Sequence, residues 1–147
     1  IDDLPELTTD PARVRQILAN LIDNAFRWTP PAGTVNVTAT QPAGGGVAIA
    51  VTDAGPGIPI ARQEEVFEPF RSDTTPDGRS GSGLGLAIAR QLARALGGDL
   101  YIDPSFTDGS AFVLELPVDA TADHEQPDED MPAGTDPRTG TRRHDIV

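Results

Sequence analysis

The sequence predicts an α/β fold: a two-layer sandwich with helices on one face of a mixed, mostly antiparallel sheet. Apolar residues recur at helical spacing in two segments, about 11–28 and 84–96. Segments with strand composition are expected at 34–40, 47–52, 99–102 and 111–116. Because these strands follow one another in pairs with helices between, we expect hairpins to build the sheet and helices to cover it.

The first helix has a clear beginning and end. Asp10 can cap it, Pro11 suits its first turn, and the prolines and glycine of 29–33 end it. Its buried face is formed by Val14, Ile17, Leu18, Leu21, Ile22 and Ala25. At ~100° per residue, a second stripe lies about 120° away, at the margin of the core. It consists of Asn20, Asn24 and Arg27.

Glycines mark turns and ends among the remaining elements. The three glycines 44–46 read as a hairpin turn between the first two strands. A short helix is expected at 62–67, and Gly97-Gly98 ends the second long helix. The segments 99–102 and 111–116 then complete the sheet as a terminal hairpin.

Composition limits the possible classes of protein. The 147 residues suit one domain, over about 1–118, and 119–147 reads as an acidic disordered tail whose His124 and His144 have no catalytic role. There is no cysteine and no lysine, which excludes thiolate metal sites and a Walker-type phosphate loop. The net charge of −12 argues against a nucleic-acid partner. No apolar stretch is long enough to span a bilayer, so we expect a soluble piece.

Three short strings, 20–25, 53–57 and 81–86, carry residues suited to a magnesium nucleotide site. In the first, the amide oxygen of Asn24 is a hard neutral ligand for Mg²⁺, with Asn20 one turn earlier. In the second, Asp53 can accept the exocyclic amino proton of adenine, while Gly55 and Gly57 let the purine approach the backbone. Each string alone fits a solvated helix face or an ordinary loop.

The third string, 81–86, runs into the second helix. Gly81, Gly83 and Gly85 would let a phosphate approach the exposed amides at the helix N-terminus. A dinucleotide-binding βαβ unit is disfavoured because a polar loop, and not a strand, precedes these glycines.

Together these strings resemble the catalytic, ATP-binding domain of a bacterial sensor histidine kinase, a member of the GHKL superfamily with the Bergerat ATP-binding fold. The resemblance covers about residues 8–117. The family's four motifs, in order, are an N box, a first glycine box, a phenylalanine box and a second glycine box, matched here by 16–29, 53–59, 67–70 and 81–86.

The resemblance implies roles for these residues. Asn24 would ligate Mg²⁺, Asn20 would support it through water, and Arg27 would act with Asn20 in catalysis. Residues 71–82 would form the ATP lid, with Phe67 and Phe70 packed at its base. The expected ATP contacts are Asn20, Asn24, Arg27, Trp28, Asp53, Gly55, Gly57, Ile58, Phe70, Arg71, Gly81, Ser82, Gly83, Leu84, Gly85 and Leu86. Arg71 follows Phe70 directly, where many members have another aromatic residue, so its reach to the γ-phosphate is open.

Relatives that hydrolyse ATP or phosphorylate serine carry glutamate where this chain has Asn20. An amide cannot act as a base, whereas a histidine acceptor needs positioning more than activation. The resemblance therefore implies a protein histidine kinase domain, monomeric and cytoplasmic, of a membrane-anchored parent. Its partners would be the parent's dimerisation and phosphoacceptor domain and, indirectly, a response regulator. The family's N-terminal edge strand would be missing or displaced.

Two alternatives remain open at this point. One is a degenerate nucleotide-sensing docking module, and the other is a slow ATPase of the same fold. The complete motifs argue against the first, and steady phosphate release without a histidine substrate, abolished by Asn24→Ala, would favour the second.

Overall fold

The computed structural model describes residues 4–75, 78 and 80–121. The helices are α1 (Pro11–Trp28) and α2 (Gly85–Ala95). The strands are β1 (Thr8–Thr9), β2 (Asn36–Thr40), β3 (Val47–Asp53), β4 (Asp99–Ile102), β5 (Ser110–Leu116) and β6 (Asp119–Ala120). Two 3₁₀ turns, Ile60–Arg62 and Glu65–Phe67, lie between β3 and α2. Within these described ranges, neither helix is both long and apolar enough to cross a membrane.

The main sheet has four strands in the order β2-β3-β5-β4, and every neighbouring pair is antiparallel. The register sets Asp53, the last residue of β3, opposite Ser110, the first residue of β5. Both helices pack on one face, and α1 and α2 also pack on each other. The predicted two-layer α/β sandwich is therefore confirmed.

The core lies between the helices and this sheet. From α1 it receives Ile17, Leu21 and Ala25, all with at most 1% of their surface exposed. These three residues recur at i, i+4 and i+8, the spacing of one helix face. The sheet contributes chiefly Val51, Leu100, Phe112 and Leu114.

Helix α1 has the predicted bounds, and its start is capped as expected. The Asp10 side chain accepts hydrogen bonds from the backbone N–H groups of Ala12 and Arg13, at 3.0 and 3.3 Å. The expected hairpin turn at 44–46 also forms, with positive φ at two glycines, 85° at Gly45 and 78° at Gly46. The local signals at both places therefore agree with the structure.

Two local predictions were wrong in detail. The strand expected from residue 34 begins at Asn36, which pairs with Thr52. In this register Val35 would face Asp53, the last residue of β3, and Thr34 would face Ala54, which lies outside the strand. Instead of the helix expected at 62–67 the chain forms two 3₁₀ turns, and the second ends where Glu68, which precedes a proline, takes an extended conformation with ψ 135°.

The N-terminal edge is displaced from the main sheet. Thr8 and Thr9 pair in parallel with Asp119 and Ala120 and form a separate two-stranded sheet. The Thr8 N–H donates to the carbonyl oxygen of Val118 at 3.1 Å. The boundary predicted at residue 118 is therefore too early, because Asp119 and Ala120 are paired. The rest of the predicted tail, 122–147, lies outside the described residues.

Glycine at position 98 is required by close packing. An added Cβ would collide with the backbone carbonyl oxygen of Glu115, whereas at Gly44 it would meet nothing within 4 Å. We expect Gly98→Ala to lower the free energy of unfolding by about 1–3 kcal/mol, and Gly44→Ala to leave it unchanged or slightly higher. Urea unfolding followed by circular dichroism measures both. Equal free energies of unfolding for the two variants would contradict the requirement for glycine at position 98.

Candidate functional site

A cavity of about 820 Å³ opens between α1, the start of α2 and the segment after β3. Its volume lies within the range of small-molecule sites. It brings together residues from all three strings that the sequence singles out: Asn20 and Asn24, then Gly57, then Gly83 and Gly85. Residues far apart in the chain therefore meet at one concave surface.

One face of α1 forms a wall of this cavity. Asn20, Asn24 and Arg27 all line it, as the helical spacing predicts for one stripe. Asp23, an exposed residue at i+3 from Asn20, lines it as well. The Asn20 side-chain N–H donates to the backbone carbonyl oxygen of Gly85 at 3.0 Å, which ties α1 to the first turn of α2. With its amide nitrogen engaged, Asn20 offers its amide oxygen to a ligand or a metal-bound water.

Asp53 is a buried carboxylate just behind the cavity wall, only 3% exposed. Its Oδ1 accepts backbone N–H bonds from Gly55 at 2.8 Å and Ser110 at 3.3 Å. Burial raises the pKa of the Asp53 carboxyl above its ordinary value, and the two hydrogen bonds oppose that rise. Both bonds use Oδ1, so Oδ2 takes part in neither.

The N-terminus of α2 forms another wall, through Ser82, Gly83, Gly85 and Leu86. The helix has no side-chain cap on its first residues. Its first amide groups and its dipole are therefore suited to an anion. The Arg27 guanidinium packs closely against Gly81, so a side chain at this position would displace it.

A backbone clamp closes the loop that precedes α2. The N–H of Phe70 donates to the carbonyl oxygen of Gly83 at 2.8 Å. Phe70 has φ 63°, which is strained for a residue with a side chain. Gly83, at φ 72°, cannot carry a Cβ because it would lie 2.8 Å from the Phe70 carbonyl carbon. The two ends of the 71–82 loop are thus fixed to each other.

The two phenylalanines at this clamp differ. Phe67 is buried and meets Phe112 edge to face with ring centroids 6.1 Å apart, while the Arg90 guanidinium stacks 4.4 Å from its ring centroid. Phe70 is 78% exposed and does not line the cavity. Its expected contact with the nucleotide stays a prediction, and its ring is exposed in this structure.

Two arginines near the 71–82 loop, Arg62 and Arg71, form ion pairs. Arg71 lines the cavity and pairs with Glu68 at 3.0 Å and with Glu65 at 3.7 Å. Arg62 also lines it, and its Nη2 lies 2.7 Å from Oδ2 of Asp73 in the loop. Arg71 is therefore at the site, as expected, but carboxylates of its own segment engage it.

The structure places most of the predicted site residues at the cavity. Trp28, Ile58 and Arg71 line it, in addition to the residues of α1 and α2 described above. Those not in its lining are Asp53, Gly55, Phe70, Gly81 and Leu84. Asp53 and Gly55 nonetheless lie next to the lining: Asp53 accepts the N–H of Ser110, which lines the cavity, and Gly55 precedes Gly57, which also lines it.

Sequence reasoning missed several lining residues. They include Asp23, Arg62, Glu65, Asp73, Ser110 and Phe112. Asp23 could have been found from its place beside Asn20 and Asn24 on α1. Ser110 and Phe112 reach the site only through the pairing of β5 with β3, which no local pattern reveals.

The comparisons with known proteins agree with this geometry. The family described as histidine kinase-, DNA gyrase B- and HSP90-like ATPase matches residues 9–120. The adaptive-response sensory kinase SasA of Gloeothece citriformis is 37% identical over 116 residues, 79% of this chain and 30% of the relative. SasA of Thermosynechococcus vestitus is 41% identical over 117 residues. The chain thus spans about 30% of the length of these curated relatives.

Solved structures show the same likeness. The mycobacterial sensor histidine kinase MprB has a TM-score of 0.60 at 34% identity, covering 78% of this chain and 83% of that one. The catalytic domain of histidine kinase ThkA, nucleotide-free, has a TM-score of 0.65 at 30% identity, with 76% and 71% covered. Full-length ShkA in complex with AMPPNP has 0.62 at 35%, with 76% and 25% covered. With the family match over residues 9–120, the chain belongs to the histidine kinase-, DNA gyrase B- and HSP90-like ATPases, as a catalytic ATP-binding domain of the sensor histidine kinase type.

Proposed function

We propose that this chain binds Mg-ATP in the 820 Å³ cavity and donates the γ-phosphoryl group to a histidine on a separate domain. The observation that carries the proposal is the meeting of the α1 amide stripe and the open N-terminus of α2 in one cavity. The first suits a hard cation and the second an anion. A triphosphate with its metal needs both next to each other.

The donor set fits magnesium. Asn24 offers an amide oxygen, and the orientation of Asn20 leaves its amide oxygen for a metal-bound water. The bound ion would neutralise phosphate charge and polarise the transferring group. In this role Asn20 has two tasks, since it also holds the first turn of α2 through the Gly85 carbonyl oxygen.

Asp53 is suited to adenine recognition. Two backbone amides hold its Oδ1, so its orientation is fixed before any ligand arrives. A carboxylate can accept the exocyclic amino proton of adenine and cannot accept a bond from the carbonyl group that guanine has there. The proposal therefore includes a preference for ATP over GTP.

The transfer step follows from what the α1 stripe lacks. Asn20 cannot remove a proton, whereas the neutral imidazole of a histidine needs no base to attack phosphorus. Positioning and charge stabilisation, by Arg27 and the α2 amides, then suffice. We propose that the acceptor lies on the dimerisation domain of the same kinase, that a response regulator receives the phosphoryl group, and that this monomeric domain works in the cytoplasm below a membrane-anchored parent.

A second candidate function, slow ATP hydrolysis, is favoured by one observation. Asp23 is a carboxylate that lines the cavity beside Asn20 and Asn24. Phosphate release with no histidine acceptor present, lost in both Asp23→Asn and Asn24→Ala, would favour it. A docking module without nucleotide is the remaining alternative, and a folded wild type that binds no ATP would favour that.

Calorimetric titration of the chain with ATP, with and without Mg²⁺, tests the binding proposal. We expect Mg²⁺-dependent binding, with GTP weaker than ATP by at least about tenfold. No ATP binding by the folded wild type would refute the proposal.

Asp53→Asn should remove most ATP binding without unfolding the chain. The amide keeps an oxygen acceptor for the two backbone N–H groups and removes a buried charge, so we expect stability at pH 7 equal to or above that of wild type. Because the folded-state pKa of Asp53 is raised, the contribution of this carboxyl to the free energy of unfolding falls as pH rises from the ordinary value of 3.8 through the raised value. Urea unfolding across that window should show wild type losing stability relative to Asp53→Asn as pH rises. A variant destabilised at pH 7 would contradict this expectation.

Arg27→Ala should lower phosphotransfer more than binding, because its guanidinium stabilises charge that develops during transfer. We expect at least about a tenfold lower transfer rate with under about a threefold change in ATP affinity. Transfer from labelled ATP to the histidine-bearing domain of the same kinase measures the first, and calorimetry the second. Arg27→Lys, which keeps the charge, is the control and should retain part of the rate. Equal losses in rate and affinity would remove this role.

A further inference from the structure

The charged side chains that line the cavity balance one another, counted over the described residues. Among the residues that the structure describes, three arginines line it: Arg27, Arg62 and Arg71. Three carboxylates line it too: Asp23, Glu65 and Asp73. These six side chains therefore offer a triphosphate no net positive charge unless a carboxylate moves away from its arginine.

Arg62 is the clearest case of a cation engaged in this way. Its Nη2 lies 2.7 Å from Oδ2 of Asp73, and its Nε lies 3.6 Å from Oε2 of Glu65. The 3₁₀ turn Ile60–Arg62, anchored by the N–H of Arg62 on the Pro59 carbonyl oxygen at 2.8 Å, sets the position of the side chain. The guanidinium is thus presented to the cavity from a fixed backbone.

Asp73, the carboxylate nearest to Arg62, belongs to the 71–82 loop and not to a helix or strand of the cavity wall. Asp73 lies three residues after the clamp at Phe70, and its side chain is 56% exposed, against 48% for Arg62. Exposed ion pairs of this kind contribute little to stability and are screened by salt. A ligand with more charge than one carboxylate can therefore displace Asp73.

We propose that Arg62 is a second phosphate-binding residue of the cavity, and that Asp73 competes with the phosphate for its guanidinium. This inference rests on the proposed binding of ATP. The planar fork of arginine matches a phosphate as well as a carboxylate, and a phosphate carries the larger charge. Asp73 thus lowers the affinity for phosphorylated nucleotides, and Arg62 raises it.

Titrations with adenosine and with Mg-ATP test the proposal in the full chain. Arg62→Gln should weaken ATP binding roughly tenfold, the effect of one charge-assisted hydrogen bond. Asp73→Asn should tighten it severalfold. Adenosine, which has no phosphate, should bind both variants as it binds wild type. In the double variant, most of the gain in ATP affinity from Asp73→Asn should disappear, because the Arg62 guanidinium that Asp73 would otherwise occupy is absent.

The matched control is Arg13→Gln, which removes an arginine of similar exposure, paired with Asp10 at 3.4 Å and outside the cavity lining. It should leave ATP affinity unchanged. The inference alone is overturned if wild type binds ATP and Arg62→Gln binds it equally well. It is also overturned if Arg62→Gln loses adenosine and ATP affinity alike, or if the gain from Asp73→Asn persists in the double variant. A folded wild type that binds no ATP overturns the proposed function and this inference together.

Discussion

Burial of one face of α1 is the constraint on which the rest of the structure depends. Ile17, Leu21 and Ala25 pack against the sheet with almost no exposed surface. Since side chains on a helix have fixed relative directions, this burial also fixes where Asn20 and Asn24 point. The same helix is thus both the centre of the core and a wall of the cavity. No loop has to place these two amides, so their geometry is as rigid as the core itself.

The second helix is positioned by polar contacts as well as by packing. The Asn20 side chain holds the Gly85 carbonyl oxygen at 3.0 Å, at the N-terminal end that lines the cavity. Farther along, Arg90 donates to Glu64 at 2.7 and 3.3 Å and stacks on Phe67. The first contact joins α2 to α1 and the second joins it to the segment before the loop. Three walls of the cavity are therefore linked through α2.

Charge at this site is arranged at two levels of burial. Asp53 is buried and held by backbone amides, so its carboxylate is fixed and its pKa is raised. The arginines and carboxylates around the loop are half exposed, and their ion pairs are individually weak. In the proposed function, recognition of the base would thus rest on a rigid group, while the half-exposed arginines would exchange their carboxylate partners for phosphate.

The sequence by itself determined the elements whose cause is local. The bounds of helix α1 were predicted because Asp10, Pro11 and the prolines after Trp28 mark its ends, and the amide stripe followed from helix geometry. Tertiary structure alone decided the rest. The pairing of β3 with β5 places Ser110 against Asp53, β6 pairs with Thr8 and Thr9, and Arg62 forms an ion pair with Asp73 at the cavity. Such contacts join residues far apart in the chain, where neither periodicity nor turn chemistry carries information about register or distance.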